Sequence, residues 1–481
     1  MEMEARKQGS NKMIIGIVLA VLTFWLFALS MVNIIPAIQA DLGISLGTLS
    51  IAISITSLFS GMFIVVAGGI SDRAGRKKLT FLGLILNIIG SLCLVFAHAA
   101  PLLIAGRIIQ GISAACIMPA TIALLNAYFD GADRQRALSY WSFGSWGGAG
   151  ACTLVGGAIA TYMGWRWIFV LSIVISLVSM YLLKDISESK AEESIKSKFD
   201  YAGLLIFIFV MLVLNVTITR GHEFGWTSPL TIALMSVTVV GSAIFFLVEI
   251  KKSNKFIEFS LFKSKAYTGA VTSNFLQSGI AGTVVVANTY VQLARGFSAF
   301  QTGLLTIGNL VAVLIMIRVG EKILQKVGAR KPMIAAAIIT PLGISLTALT
   351  FLPDLAYIIT VFLGFLLAGI GLGLYATPSI DTAVVNIPED KVGVASGIYK
   401  MGSSLGTSFG IAISTAVYGV IVVTGNIGMA AAAGILVNLA FAIPSLILIM
   451  LTIHDGEGKK APELSAEKVI TKKLVDLNRG T

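Results

Sequence analysis

Charged residues are scarce in this chain of 481 residues. Asp, Glu, Lys and Arg together make up 12% of it, whereas soluble domains carry about 25%. Histidine and cysteine are rarer still, with three of each. The cysteines Cys93, Cys116 and Cys152 are spaced for neither a metal site nor a redox pair, and the sequence contains no P-loop motif. These absences argue against a soluble enzyme, and we expect neither a metal nor a cofactor.

Long uncharged runs take the place of the missing charge. Hydrophobic residues make up 56% of the sequence, and its mean hydropathy is +0.90. Because roughly 20 apolar residues cross the hydrocarbon core as a helix, the sequence predicts an all-α membrane protein. We expect fourteen transmembrane helices, at approximately residues 13–35, 48–70, 79–98, 101–128, 139–162, 167–183, 201–219, 231–249, 267–292, 301–320, 333–352, 356–385, 395–423 and 431–453.

The net charge of +11 reports topology rather than nucleic-acid binding. Between these spans, and counting Arg318 near the end of the span 301–320, 30 of the 35 Lys and Arg residues fall on one side of the membrane. Arg166, Arg220 and Arg295 fall on the other side, and Arg107 and Lys400 fall within spans. The positive-inside rule places the basic side in the cytoplasm. An even number of spans then puts both termini there.

An internal repeat divides the chain. The basic loop 72–78 corresponds to 325–331, and the pair 133–134 corresponds to 390–391, at offsets of 253 and 257 residues. Six spans need fewer residues than this offset provides, so two extra spans separate the halves. We expect a six-helix half at 1–183, linkers with two extra helices at 184–266, a second six-helix half at 267–453 and a cytoplasmic tail at 454–481. Two such halves suit a rocking transporter whose substrate binds between them.

Several motifs resemble those of a known family. Residues 69–78, Gly-Ile-Ser-Asp-Arg-Ala-Gly-Arg-Lys-Lys, resemble the G-x-x-[DS]-R-x-G-R-[KR]-[KR] signature of the major facilitator superfamily. Residues 107–111 match its R-x-x-Q-G motif. Residues 165–169 and the fourteen spans resemble the drug:proton antiporter branch, and residues 134–141 and 373–378 are most similar to the Nor-type quinolone exporters of Gram-positive bacteria. The resemblance implies proton-coupled efflux of amphipathic drugs by alternating access across the cell membrane.

Two departures from the family pattern leave the substrate's charge and the coupling stoichiometry open. The span-5 motif, usually G-P-x-x-G-G, reads Cys-Thr-Leu-Val-Gly-Gly at 152–157 and lacks the proline that would kink the helix. Many relatives also carry an aspartate in the first span, near Phe27 or Ala28, and this chain has no acid there.

Two charged residues within the spans are candidates for proton coupling. A charge inside a membrane helix is costly and usually functional or paired. Arg107 cannot deprotonate, so it would act by biasing a nearby acid, a role that the resemblance assigns to it. Alternatively, it anchors the carbonyls of a neighbouring helix. Burial favours the protonated form of Asp381, which suits a proton carrier; alternatively, this carboxylate caps a helix break after Pro378.

The turn after the second span is a candidate conformational switch. Asp72 would pair with a helix N-terminus or an arginine when the cavity faces outward. Alternatively, the turn is a solvated topology signal, as we expect Lys77 and Lys78 to be. The residues assigned to the switch are Asp72, Arg73, Gly75 and Arg76.

Small and polar residues complete the predicted site. The glycines of span 5 predict close helix packing, namely Gly144, Gly147, Gly148, Gly150, Gly156 and Gly157. Polar and aromatic residues near the midplane are candidates for lining the substrate cavity, although each could instead be core packing. They are Trp25, Asn33, Gln110, Trp146, Gln277, Asn288, Asn309 and Tyr399. Lys400 is expected to extend toward the cytoplasmic interface.

Three functions are compatible with these residues. The first is proton-coupled export of small amphipathic drugs, and the second is a dedicated metabolite or lipid-precursor carrier that exports drugs incidentally. The third, a membrane sensor that does not transport, is disfavoured by the repeat and by the intact motif at Arg107. The expected partners are small amphipathic molecules, protons and the lipid bilayer, with no nucleic acid.

Overall fold

The computed structural model describes residues 9–28, 30–31, 34–44, 46–190, 200–252, 259–385 and 387–459. The regular elements in these ranges are helices. They are α1 (Asn11–Leu22), α2 (Ile35–Leu42), α3 (Leu46–Ala74), α4 (Arg76–Val95), α5 (Ala100–Tyr128), α6 (Gly131–Ser142), α7 (Gly148–Tyr162), α8 (Arg166–Leu183), α9 (Tyr201–Phe224), α10 (Pro229–Lys251), α11 (Lys265–Ala281), α12 (Val284–Arg295), α13 (Ala299–Leu305), α14 (Ile307–Val327), α15 (Arg330–Thr347), α16 (Asp354–Val385), α17 (Val392–Val422), α18 (Ile427–Leu436) and α19 (Ala442–Thr452).

Helices dominate because a backbone without access to water must satisfy its own hydrogen bonds. Eleven helical segments in the described ranges are long and apolar enough to cross a membrane. The segments not among them are the one formed by α6 together with α7, helix α9 and helix α15. The all-helical membrane fold is therefore confirmed, whereas the total of fourteen spans stays a prediction.

The internal repeat is visible in the backbone. Gly75 joins α3 to α4 with φ +121°, and Gly328 joins α14 to α15 with φ +90°. Residues with a Cβ rarely adopt this region, so glycine fits both turns. The two basic loops, 253 residues apart in sequence, thus form the same kind of sharp connection between long helices.

The helices pack as two halves, which we define as α1–α8 and α11–α19. Within the first half, α5 packs against α3 and α4; within the second, α16 packs against α14 and α15. The halves meet where α3 crosses α17, and where α6 and α7 meet α14 and α16. Helix α9 contacts both α3 and α17, and α10 packs on α9.

Local breaks in the helices shape the interior. The first helix passes from α1 into a π-helical turn, Thr23–Ala28, and a second π-helical turn, Phe143–Gly147, joins α6 to α7. Such turns widen the helix, leave carbonyl groups without their usual partners and often occur at functional sites. The two turns contact each other, and the Cβ of Trp25 closely approaches Gly148, the residue that follows the second turn.

Candidate functional site

Hydrogen bonds between the two halves gather at one end of the bundle, which we call the Asp72 end. Asp72, on the last turns of α3, is 1% exposed. Its carboxylate oxygens accept hydrogen bonds from the backbone N–H groups of Gly393 and Val394, both at 3.1 Å. These amides belong to the first turn of α17, where the helix dipole favours an anion. The contact expected for Asp72 with a helix N-terminus is therefore present.

Arg76 strengthens the same junction. Its guanidinium group donates to Asp72 at 3.2 Å and to the carbonyl oxygen of Glu389 in the other half. Asp72 and Arg76 form an ion pair whose side chains are 2% and 4% exposed. Arg73 lies one turn before Arg76 at the same end, and Gly75 forms the turn between the two helices. The four residues assigned to the switch thus lie together.

Asp381 forms a second junction between the halves. It is 1% exposed on α16 and accepts hydrogen bonds from Arg134 Nε at 3.2 Å and from Gln135 Nε2 at 3.0 Å. Both partners belong to α6 of the first half. Asp381 therefore does not cap the helix beside Pro378, whose carbonyl oxygen accepts instead from Thr382 Oγ1 at 2.8 Å.

Weaker contacts extend this junction. Arg318 on α14 donates to Ser139 Oγ at 3.4 Å, and Gln325 donates to the carbonyl of Ala132 at 3.4 Å. The segment after α19 also takes part, since Gln135 Nε2 donates to the carbonyl of Gly458 at 2.6 Å. In the part of the chain that the structure describes, the Asp72 end is thus closed by contacts at two separate places.

The opposite end of the bundle is held together differently, by ion pairs within each half. Arg166 pairs with Asp41 in the first half, and Arg295 pairs with Asp354 in the second. Hydrogen bonds from Arg166 and Trp165 hold the pKa of the Asp41 carboxyl below its usual value. These pairs fix each half internally, whereas the hydrogen bonds between the halves described above lie at the Asp72 end.

Arg107 lies inside the first half and is 1% exposed. Its guanidinium group donates to the carbonyl oxygens of Ala52 at 3.1 Å and Ala28 at 3.0 Å, and to Gln110 Oε1 at 2.8 Å. Ala28 ends a π-helical turn, which explains why its carbonyl is available. Because these partners are neutral, the geometry matches the alternative in which Arg107 anchors neighbouring helices. Arg107 could affect proton coupling only by changing how these helices pack.

The residues proposed for the cavity fall into two groups. Gln110 and Gln277 lie within single halves, where they donate to Ser91 Oγ at 3.3 Å and to Ser445 Oγ at 3.1 Å. Trp25 and Trp146 contact the other half, whereas Tyr399 contacts α16 of its own half. Asn288 is half-buried on α12, the backbone of Asn309 packs against Gly369, and Asn33 lies outside the described residues.

Trp146 contacts the other half, and Tyr399 contacts a residue of its own half. Trp146 packs on a cluster of buried residues of the other half, namely Val313, Ile317, Leu372 and Ala376. The hydroxyl groups of Tyr399 and Ser379 are 3.0 Å apart. These contacts keep both aromatic side chains at the centre of the bundle.

Comparison with known proteins decides the family. The sequence matches the Major Facilitator Superfamily over residues 13–410 and 267–478. The chain belongs to this superfamily. It is 52% identical, over 93% of its own length and 96% of the relative's, to the quinolone resistance protein NorB of Staphylococcus aureus strain MRSA252, and equally to that of strain COL. The chain is therefore a multi-pass membrane transporter and not an enzyme.

Solved structures show the same fold. The proton:xylose symporter XylE, bound to 6-bromo-6-deoxy-D-glucose, superposes with a TM-score of 0.66 over 95% of this chain and 98% of its own. The human organic anion transporter MFSD10 gives a TM-score of 0.62 over 91% of this chain and 98% of its own. Both are 14% identical to the transporter, so this likeness concerns the fold.

The span-5 glycines of the transporter serve two interfaces. A Cβ at Gly144, Gly148 or Gly156 would press on the first helix, with Ser30 Oγ 2.6 Å from the Cβ at Gly156. A Cβ at Gly147 or Gly150 would instead meet Leu314 or Leu310 of α14. Among the described residues, a Cβ at Gly157 would meet no atom within 4 Å. Five of these six glycines thus lie at tight helix contacts.

The sequence did not predict which residues contact each other across the junction between the two halves. Arg134 belongs to the repeat and Gln135 to the run 134–141, but nothing in one sequence linked them to Asp381, about 247 positions away. Lys400 was expected near the interface, yet it is 3% exposed and lies among aromatic rings. It stands eight residues after Val392, where α17 begins, about 12 Å along the helix.

Proposed function

We propose that the transporter exports amphipathic drugs, quinolones among them, across the cell membrane in exchange for protons. The named relatives, 52% identical over nearly the whole chain, are quinolone resistance proteins. The observation that carries the mechanism is the cluster of hydrogen bonds joining the halves at the Asp72 end. A transporter that works by alternating access needs such a closure at one end, and needs it to be reversible.

The membrane topology belongs to this proposal. Fourteen spans result when α6 with α7, α9 and α15 are added to the eleven segments that meet the length and hydropathy criteria. The positive-inside rule then places the Asp72 end and both termini in the cytoplasm. With this orientation, the structure has its cytoplasmic end closed.

Asp381 offers a route from protonation to movement. As an ion it accepts hydrogen bonds from Arg134 and Gln135 of the other half. Once protonated, the carboxyl loses its charge attraction to Arg134, and charge-assisted hydrogen bonds are roughly twice as strong as neutral ones. A proton on Asp381 therefore favours opening of the Asp72 end. Arg107 cannot exchange protons, and its part is to hold three helices of the first half in one arrangement.

The test is transport by the purified protein in proteoliposomes. An imposed proton gradient should drive quinolone movement, and the quinolone should in turn drive proton movement that a pH-sensitive dye reports. Protein-free liposomes and the Asp381→Asn variant are the controls. Proton-coupled movement of metabolites or lipid precursors without quinolone movement would favour the dedicated carrier, and substrate movement without any proton flux would refute coupling.

A further inference from the structure

Lys400 is a buried cation for which the proposed transport mechanism has no use. It lies on α17 of the second half, and its Nζ atom stands 5.1 Å from the ring centre of Trp25 and 5.0 Å from that of Trp141. Both tryptophans belong to the first half. The lysine therefore reaches across the junction between the halves and lies between two indole rings.

Among the described residues, this ammonium group has no counter-ion. None of the ion pairs formed in the described part of the chain includes Lys400, and neither do the hydrogen bonds found there. Cation–π contacts offset part of the cost of burying a charge, but a buried charge is normally paired as well. The site is thus electrostatically incomplete.

One of these two rings carries a second donor that has no acceptor among the described residues. The indole Nε1 of Trp25 is buried and finds no acceptor among the described residues. The Trp141 indole N–H, in contrast, donates to Thr121 Oγ1 at 2.9 Å, which fixes that ring. Lysine and tryptophan side chains donate hydrogen bonds and cannot accept them. Two neighbouring donors with no acceptor match a group that only accepts, and a carboxylate is such a group.

The rings around Lys400 indicate what the carboxylate is attached to. Phe24 meets Trp25 edge to face, with 5.3 Å between the ring centres, and Trp141 is 1% exposed. Aromatic faces favour planar aromatic ligands. We propose that Lys400, between Trp25 and Trp141, is the subsite that binds the carboxylate of an aromatic acid. This inference rests on the proposed function and adds the substrate group that the site selects.

The experiment measures binding rather than transport. The purified full-length transporter is titrated with a quinolone carboxylic acid and with the methyl ester of the same quinolone. A charged hydrogen bond to the acid predicts that the wild-type protein binds it roughly 10- to 100-fold more tightly than the ester. Lys400→Met keeps the length of the side chain and removes its charge, so the acid-to-ester ratio should fall to about one. Lys400→Arg should keep most of the preference.

Ester binding by Lys400→Met shows that the variant is folded, which separates loss of the subsite from loss of structure. An unchanged acid-to-ester ratio in Lys400→Met overturns the inference. Equal weakening of both ligands also overturns it, because Lys400 would then be a packing contact between the halves. If the wild-type protein binds both ligands equally, the inference about Lys400 is wrong, but the proposed drug export is unaffected. A wild-type protein that binds neither removes the proposed function as well.

Discussion

At the scale of single residues, Arg107 holds together helices that would otherwise leave carbonyl groups unpaired. Arg107→Ala removes the donor for Ala28 and Ala52, and each buried carbonyl left unsatisfied costs about 1–3 kcal/mol. We expect quinolone efflux to be lost and the midpoint of thermal unfolding to fall. Efflux assays and thermal unfolding of the purified variant measure both effects.

Arg107→Lys is the matched control, since an ammonium group keeps the charge but cannot reproduce the fork of a guanidinium. We expect it to recover stability only in part. Normal efflux and stability in Arg107→Ala would show that neither the anchor nor the coupling role is needed.

Asp381 predicts the direction in which pH changes the closure of the Asp72 end. Because the ionised carboxylate binds Arg134, high pH favours closure of the Asp72 end and low pH favours opening. Asp381→Asn is neutral at every pH, so at high pH it should resemble the wild-type protein at low pH. Rates of quinolone efflux across a pH series test this, and the variant should lose most of the pH dependence.

Asp354→Asn supplies the control for Asp381→Asn. Asp354 pairs with Arg295 within the second half at the opposite end, and its side chain is 80% exposed. Exposed ion pairs contribute about 0–1 kcal/mol, so this variant should keep the wild-type pH profile. If Asp381→Asn also keeps it, the proton site lies elsewhere.

The sequence alone identified charged residues that are buried, but it did not identify the residues that they contact. Arg107 and Asp381 stood out because charge inside an apolar run is rare. Their partners come from helices distant in sequence, and the carbonyl of Ala28 becomes available through a π-helical turn that no residue pattern announced. Lys400 was misplaced because its position depends on Trp25 and Trp141 of the other half.

At the scale of helices, α3 and α17 touch backbone to backbone. A Cβ at Gly68 would lie 2.3 Å from the carbonyl oxygen of Gly393, whereas a Cβ at Gly69 would meet the side chain of Val394 at 3.6 Å. Forcing extra atoms into a tight contact costs about 1–3 kcal/mol. Gly68→Ala should therefore separate α3 from α17 and favour the state with an open Asp72 end.

Spin labels at the exposed positions 78 and 388, in a cysteine-free background, report the separation of the halves. Gly68→Ala should shift the distance distribution to longer values, and the neighbouring Gly69→Ala should leave it unchanged. Identical distributions in the two variants would show that this glycine contact does not control closure.

The internal repeat predicted the turns between helices, whereas the hydropathy of the sequence did not predict the breaks within them. Gly75 and Gly328 marked equivalent turns, and both turns appear with positive φ. Hydropathy alone did not anticipate the divided helices, such as the break between Ala281 and Val284. Such breaks depend on what packs beside the helix rather than on the composition of the run.

At the scale of the whole molecule, the placement of charge predicts which substrates are disfavoured. Among the described residues, Asp381 is engaged with Arg134, and Glu249 faces α9 near Gly203 rather than the centre. Burying a dication without carboxylate partners is prohibitive. In an efflux-deficient host, the transporter should protect more strongly against a zwitterionic quinolone than against a bivalent quaternary ammonium compound.

Stronger protection against the dication would point to an acidic site other than Asp381 and Glu249. Glu223, whose side chain lies outside the described ones, is the residue to replace first in that case. Glu223→Gln should then abolish protection against the dication and spare the quinolone. No change in this variant would direct the search to other parts of the chain.

The pair of helices between the halves gives the molecule two unequal sides within the bilayer. Helix α9 lies against both α3 and α17 and so covers one of the two lines along which the halves meet. On the other line, α7 meets α13 and α14, with no additional helix laid over it in the described chain. Amphipathic molecules concentrate in the lipid before they reach any binding site. A drug that diffuses laterally in the leaflet therefore encounters an uncovered seam on one flank of the molecule and a shielded seam on the other.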